Sequence, residues 1–200
     1  MTVVDPVIKV PDVDATIVAA AVTLAGDVGW ESVRLHAVAE RTGLPLPLIG
    51  ERFRDVDAIA NAWFKAARLH LLGVSWAPIA DQPADLRLAA VMERWLDFFG
   101  PDRLTAIDIM RTKLHPSHAH HWVPLVFDLS RLVHDFLDAA RVPGRGLLRP
   151  AQEVALTTIT LAMLRDWAGD SSPDRATTRQ RLRRRLQRAG RLATRLSRRS

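Results

Sequence analysis

The chain has 200 residues, 48% of them hydrophobic and 25% charged, which is enough for one large domain or two small ones with an apolar core. It has no cysteine, which excludes disulfides, thiolate chemistry and zinc–thiolate sites. No apolar run approaches the roughly 20 residues that span a bilayer, and no secretory pattern is present, so a cytoplasmic location is expected.

The net charge of +6 is distributed unevenly along the chain. Residues 175–200 hold 11 arginines and no acidic residue, whereas residues 1–174 hold 17 basic and 22 acidic groups. Residues 1–54 hold five basic and seven acidic groups. The positive charge therefore lies in the tail, and the N-terminal segment lacks the basic excess that is typical of a DNA-binding module.

The first half of the chain shows helical spacing and few strand signals. Asp12 is a suitable N-cap for a helix over 13–26, and Trp30 in the following turn is expected to be buried. Asp55 is a suitable N-cap for a long helix over 56–72.

Residues 33–53 have the pattern of two short helices joined by a tight turn. Apolar residues recur at helical spacing: Leu35, Val38 and Ala39 in the first helix, then Ile49 and Phe53 in the second. Gly43 supplies the left-handed residue that a helix-turn-helix needs. The pattern predicts a DNA-binding-like domain over residues 1–55.

The second half has the pattern of a helical bundle. A connector over 73–83 precedes amphipathic segments at about 84–99, 103–114, 118–140 and 150–169, and a basic helix at about 175–197. We therefore predict an all-α protein with about nine helices. A three-helix helix-turn-helix unit is followed by an antiparallel bundle over 56–200.

Three motifs follow one another in residues 13–67. They are Ile17-Val-Ala-Ala-Ala-Val-Thr-Leu-Ala, then Gly29-Trp30-Glu31, then Leu35-x-x-Val38-Ala39-Glu40-Arg41-x-Gly43-Leu44 with Phe53. Together they resemble the TetR family of bacterial repressors. The resemblance implies a homodimer, a ligand pocket in the bundle, and an inducer that moves the two DNA-reading domains apart.

The chain departs from the family pattern where DNA is read. Apolar residues or glycine replace the polar and aromatic positions of the recognition helix, namely Pro45, Leu46, Pro47, Leu48 and Gly50; Val56 and Arg34 replace a lysine and a threonine. The residues expected at the DNA are Arg34, His36, Leu46, Leu48, Arg52 and Arg54. The two leucines offer no hydrogen bond to a base. DNA binding is therefore expected to be weakened.

The C-terminal end is similar to a second family. Leu161-Ala-Met-Leu-Arg-Asp-Trp167 precedes Asp170-Ser-Ser-Pro-Asp174-x-x-x-Thr178-x-x-x-Leu182-x-x-Arg185-Leu186. This is similar to the closing motif of the ubiquinone-biosynthesis accessory proteins, whose last helix lies on a membrane. Here that helix has one apolar face, formed by Leu182, Leu186, Ala189, Ala193 and Leu196. A dimer interface, an anionic membrane surface and nonspecific nucleic-acid contact all remain open for it.

A hydrophobic ligand pocket is predicted among the aromatic and methionine residues of the bundle. The candidates are Trp95, Phe99, Met110, Trp122, Phe127, Met163 and Trp167. The histidines His115, His118, His120 and His121 match no zinc spacing and are expected at the surface or at a helix cap. No catalytic motif stands out, so neither an enzyme nor a cofactor or metal is expected.

Two functions are consistent with these patterns. The first is a ligand-responsive transcriptional regulator that binds operator DNA as a homodimer and a small apolar ligand in its bundle. The alternative is a lipid-binding accessory protein of isoprenoid-quinone biosynthesis that does not bind DNA and docks on a membrane through its last helix.

Overall fold

The computed structural model describes the backbone of residues 12–114, 122–143 and 148–197, and all of their side chains except those of 114, 122–127, 148 and 194–197. These described residues contain nine α-helices and no strand. The helices are α1 (Val13–Val28), α2 (Leu35–Thr42), α3 (Leu46–Arg52), α4 (Val56–Leu72), α5 (Ala84–Phe98), α6 (Arg103–Leu114), α7 (Trp122–Ala139), α8 (Leu148–Gly169) and α9 (Ala176–Ser197). The all-α prediction is confirmed.

The chain forms two compact units. The first, called the head below, comprises the described part of Met1–Lys65 together with Leu104–Thr112. The second, called the bundle, comprises Ala66–Arg103 and the described part of Lys113–Ser200. Helices α4 and α6 contribute residues to both units. A functional boundary at residue 55 stays a prediction.

The start of the head follows the predicted capping closely. The Asp12 carboxylate accepts hydrogen bonds from the backbone N–H of Asp14 at 3.1 Å and of Ala15 at 3.4 Å, as an N-cap should. Helix α1 continues two residues beyond the predicted end, because the residue that stops it is Gly29, at φ 81°. Trp30 is buried as predicted, and its backbone N–H donates to Asp108 Oδ2 of α6 at 2.7 Å.

The turn between α2 and α3 has the backbone that the motif requires. Gly43 adopts φ 69° and ψ 10°, and its N–H donates to the carbonyl of Ala39 at 2.9 Å. Helix α2 packs against α1 and α3, and Ile49 and Phe53 are buried on the inner face of the motif. The helix-turn-helix prediction is confirmed at the level of the fold.

The two glycines of this motif should respond oppositely to alanine. A Cβ on either residue meets nothing within 4 Å, so only backbone effects remain. Gly43→Ala forces a side chain into the left-handed region and should destabilise the protein by about 1–2 kcal/mol. Gly50→Ala lies within helix α3 and should stabilise it by about 0.5–1 kcal/mol. Urea unfolding of the two variants measures the difference, and equal effects would contradict it.

In the bundle, α9 packs against α5 and α8, and α7 packs against the same two helices. The large buried side chains of this unit include Met92, Phe99, Phe136, Met163 and Leu182. Helix α7 is described from Trp122 onward, and its predicted start at residue 118 lies outside the described residues. His115, His118, His120 and His121 lie outside the described residues, so their expected surface or capping role stays a prediction.

Candidate functional site

The outer face of α3 is apolar at its N-terminal end. Leu46 is 45% exposed, Pro45 and Pro47 are exposed, and Leu48 is half-buried. Ile49 of the same helix is buried and packs inside the head. In a helix-turn-helix, the N-terminal residues of the second helix meet the base edges. The corresponding positions of this chain are therefore occupied largely by apolar groups.

The arginines of residues 12–65 are all engaged within the head. Arg41 pairs with Asp27 at 3.1 Å, and Arg54 pairs with the neighbouring Asp55 at 2.8 Å. Both pairs are exposed to solvent, where an ion pair is worth little and can exchange for another partner.

Two of the predicted DNA contacts, Arg52 and Arg34, also have partners within the head. Arg52 pairs with Asp14 of α1 at 3.2 Å, and both side chains are half exposed. Arg34 donates from Nη1 to the carbonyls of Glu31 at 2.6 Å and Val33 at 2.8 Å. His36 is exposed on α2. All three side chains are exposed, and the two arginines already donate to or pair with acceptors of the head. Their role as DNA contacts stays a prediction.

Five of the seven predicted ligand-pocket residues have described side chains, and four of these lie in the packed bundle core. Ring centroids are 5.1 Å apart for Trp95 and Phe99, and 6.2 Å apart for Phe99 and Trp167. Met163 is fully buried in the same unit, whereas Met110 belongs to the head and is half-buried. The side chains of Trp122 and Phe127 lie outside the described part.

A cavity of about 1050 Å³ lies elsewhere in the bundle. Its lining is mostly apolar and comes from the first turns of α5 and α8, the end of α7 and the C-terminal half of α9. The residues include Pro83, Leu88, Leu137, Val142, Ala151, Gln152, Ala155, Leu156, Ile159, Leu186, Ala189, Gly190, Arg191 and Leu192. None of the five predicted pocket residues with described side chains lines it. A ligand role for the predicted set stays a prediction.

Sequence reasoning misses this cavity because its lining has no conspicuous residue type. The available signal is the small side chains on two helices, Ala151 and Ala155 on α8 and Ala189 and Gly190 on α9. Small residues that face each other leave space between two helices unless a third element fills it.

Two buried polar atoms of the bundle have no hydrogen-bond partner in the described part of the chain. They are Nε1 of Trp95 and Oε1 of Gln152. The Gln152 amide donates from Nε2 to the carbonyl of Pro143 at 3.1 Å, so its oxygen is the atom left over. Gln152 also lines the cavity.

Ion pairs join the arginine-rich helix α9 to helices α5 and α8 of the bundle. Arg183 meets the buried Glu93 of α5 through two bonds, at 2.8 and 2.9 Å, and Arg179 bridges Glu93 and Asp97. Asp166 of α8 pairs with Arg181 at 3.0 Å and Arg185 at 2.5 Å. Burial alone would raise the pKa of Asp166, but hydrogen bonds from these arginines hold it below its usual value.

The predicted apolar face of α9 is buried only in its first half. Leu182 and Leu186 are in the core, Ala189 is half-buried, and Ala193 is exposed; Leu196 lies beyond the described side chains. The arginines that face solvent recur on one side of the helix, at Arg184, Arg188 and Arg191. Since the buried leucines already pack in the bundle, they do not offer a free face to a membrane.

Neither a metal cluster nor a membrane span is found in the described residues. No group of three or more His, Asp or Glu side chains among them is placed to hold a metal ion. No helix in that same part of the chain is long and apolar enough to cross a membrane.

The chain is similar to solved structures of TetR-type proteins. A TetR transcriptional regulator from Nitrosomonas europaea ATCC 19718 has 32% sequence identity and a TM-score of 0.76, over 88% of this chain and 97% of that chain. A TetR-like transcriptional regulator from Rhodococcus sp. RHA1 has 17% identity and a TM-score of 0.53, over 88% of this chain and 94% of that one. Neither a protein-family model nor a curated protein matches.

A third structure shows the same fold at low identity. The TetR family transcriptional regulator PfmR from Thermus thermophilus has 17% identity and a TM-score of 0.55, over 85% of this chain and 93% of that chain. The last two likenesses show the fold, whereas the first covers nearly the whole relative at 32% identity. The chain belongs to the TetR family of transcriptional regulators, and the sequence-based resemblance is confirmed.

Proposed function

We propose that this protein is a ligand-responsive transcriptional regulator that binds operator DNA as a homodimer. The proposal rests on the helix-turn-helix of the head. Gly43 forms its turn, and α3 exposes Leu46 while Ile49 of the same helix is buried. A protruding second helix of this kind fits the major groove of DNA.

Dimerisation is supported by an exposed apolar stripe on α8. Val154 is 69% exposed and Leu161 is 51% exposed, and the two lie seven residues apart on one face. Between them the same face carries the smaller Thr158, which is exposed. Small residues between larger apolar ones allow a second helix to approach closely, so this stripe fits a copy of itself across a two-fold axis.

Ligand binding is supported by the cavity in the bundle. Its volume of about 1050 Å³ and its apolar lining suit a hydrophobic molecule. Helices α4 and α6 belong to both units, so they give any change in the bundle a covalent route to the head. A ligand changes DNA binding only if it binds one conformation of the protein more tightly than another, and the two conformations differ in their affinity for DNA.

The first test is DNA binding with one head carboxylate removed. Asp14→Asn frees Arg52 from its 3.2 Å ion pair and removes one negative charge from the head. We expect operator affinity to rise, and the dependence of log affinity on log salt to steepen by about one phosphate contact per protomer. Fluorescence anisotropy against DNA from upstream of the coding region, over a salt series, measures both.

The matched control is Asp27→Asn, which frees Arg41 by the same chemical change. Arg41 lies at the end of α2 and not on the recognition helix, so we expect a smaller gain. Equal salt slopes for wild type and Asp14→Asn would contradict a role for Arg52 at the phosphates. If wild type shows no selective binding and lipid co-purifies with it, the accessory-protein alternative gains support.

A further inference from the structure

We propose that the head reads thymine methyl groups in the operator major groove, with Leu46 as a specificity-determining residue. This inference rests on the proposed function, since it assumes that α3 enters DNA.

The exposed N-terminal end of α3 offers only apolar side chains. Leu46, at the first position of α3, is 45% exposed, and its neighbours Pro45 and Pro47 are also exposed. Pro47 has no backbone N–H, and none of the three side chains can donate or accept a hydrogen bond. Leu46 and Gly50 lie one helical turn apart on α3, and both are exposed.

The second step is what lies opposite in the groove. The base edges of the major groove present donors, acceptors and one apolar group, the C5-methyl of thymine. Leu46 therefore gains most from thymine, because thymine alone presents a methyl group for apolar contact. Gly50 has no side chain to hold α3 away from the bases, so a short apolar contact is sterically open.

The third step concerns the polar side chains nearby. Arg52 is the last residue of α3 and Arg54 lies beyond its end, so neither is at the N-terminal end of the helix, where bases are read. Glu51, exposed on α3, can only accept and is repelled by phosphate. Base discrimination at the start of the helix consequently falls to the apolar contact.

The experiment compares thymine with uracil, which differ by that methyl group alone. Full-length protein selects its preferred duplex from a random pool at low salt, and the duplex is remade with uracil at each half-site thymine in turn. We expect half-sites to contain thymine at a fixed position, and its replacement by uracil to weaken binding about fourfold per methyl, the value of one buried methyl or methylene group.

A chemical double-mutant cycle then assigns the contact to Leu46. Leu46→Ala should weaken binding to the thymine duplex and lose most of its sensitivity to uracil, because the partner of the methyl is gone. Val28→Ala is the matched control: Val28 is 57% exposed and lies at the end of α1, so its variant should keep the full uracil effect. Thermal melting checks that both variants fold.

The outcomes separate the two levels of the proposal. Selective DNA binding that is indifferent to uracil overturns the methyl readout and leaves the regulator function standing. Full uracil sensitivity in Leu46→Ala overturns the assignment to Leu46. A selection that enriches no sequence at all overturns the regulator function, and the methyl readout with it.

Discussion

Replacing Asp170 with alanine is expected to lower the free energy of unfolding by about 3 kcal/mol. The Asp170 carboxylate is buried and accepts four hydrogen bonds, two from Ser172 and two from Thr178. Thr178 is fully buried in the first turn of α9, and its N–H and hydroxyl both lose their acceptor in the variant. Urea unfolding at neutral pH measures the loss.

A pair of asparagine substitutions supplies a matched comparison: Asp170→Asn is the test and Asp174→Asn is the control. The change is the same, but Asp174 is exposed and sits at φ 50°, which asparagine tolerates. We expect Asp170→Asn to destabilise the protein clearly and Asp174→Asn to stay within about 0.5 kcal/mol of wild type. Similar effects for the two would contradict the role of Asp170 as the anchor of α9.

The stability supplied by Asp170 should depend on pH in a defined direction. Burial would raise the pKa of Asp170, but the hydrogen bonds from Ser172 and Thr178 outweigh it and hold the pKa far below its ordinary value. A carboxyl with a depressed folded pKa stabilises the fold above about pH 4 and loses that contribution as the pH falls. The stability gap between wild type and Asp170→Asn should therefore narrow below about pH 4.

The second large effect is expected at Arg183. Arg183→Ala leaves the Glu93 carboxylate, which is 6% exposed, with only Arg179 as its described ionic partner. Loss of one partner of a buried charge is costly, but Arg183 itself is 54% exposed, so solvent reduces the cost to about 1–2 kcal/mol. Thermal unfolding should show a clear fall in the midpoint.

The neighbouring Arg184→Ala supplies the control for Arg183. Arg184 is exposed in the same helix, so its variant should change stability by no more than about 0.5 kcal/mol. If the two variants melt alike, the ion pairs of Glu93 do not fasten α9. If Arg184→Ala instead weakens binding to anionic vesicles, the exposed basic side has a surface role independent of the bundle.

Local signals make most of the fold predictable. The carboxylates of Asp12 and Asp55 cap the helices that follow them, because an N-cap acts within three residues of itself. Gly43 is left-handed because a turn between two short helices demands it. The predicted end of α1 is two residues early because both Gly26 and Gly29 are breakers in sequence, and only Gly29 takes a positive φ.

The roles of the arginines cannot be predicted in the same way. Arg183 and Arg184 are adjacent and identical in type, yet one pairs with Glu93, 90 residues away, and the other faces solvent. Such partners depend on how α5 and α9 pack, which local periodicity does not specify. The pairing of Arg52 with Asp14, 38 residues away, escapes sequence reasoning for the same reason.

DNA recognition is the central claim for this protein, and selection from a random duplex pool tests it most directly. A homodimeric regulator with this head should enrich an inverted repeat whose half-sites lie about one helical turn, about 34 Å, or a multiple of it apart. It should bind that duplex more tightly than shuffled DNA of the same composition, and release it as salt rises. Failure to enrich any sequence, even at low salt, would contradict the proposed function.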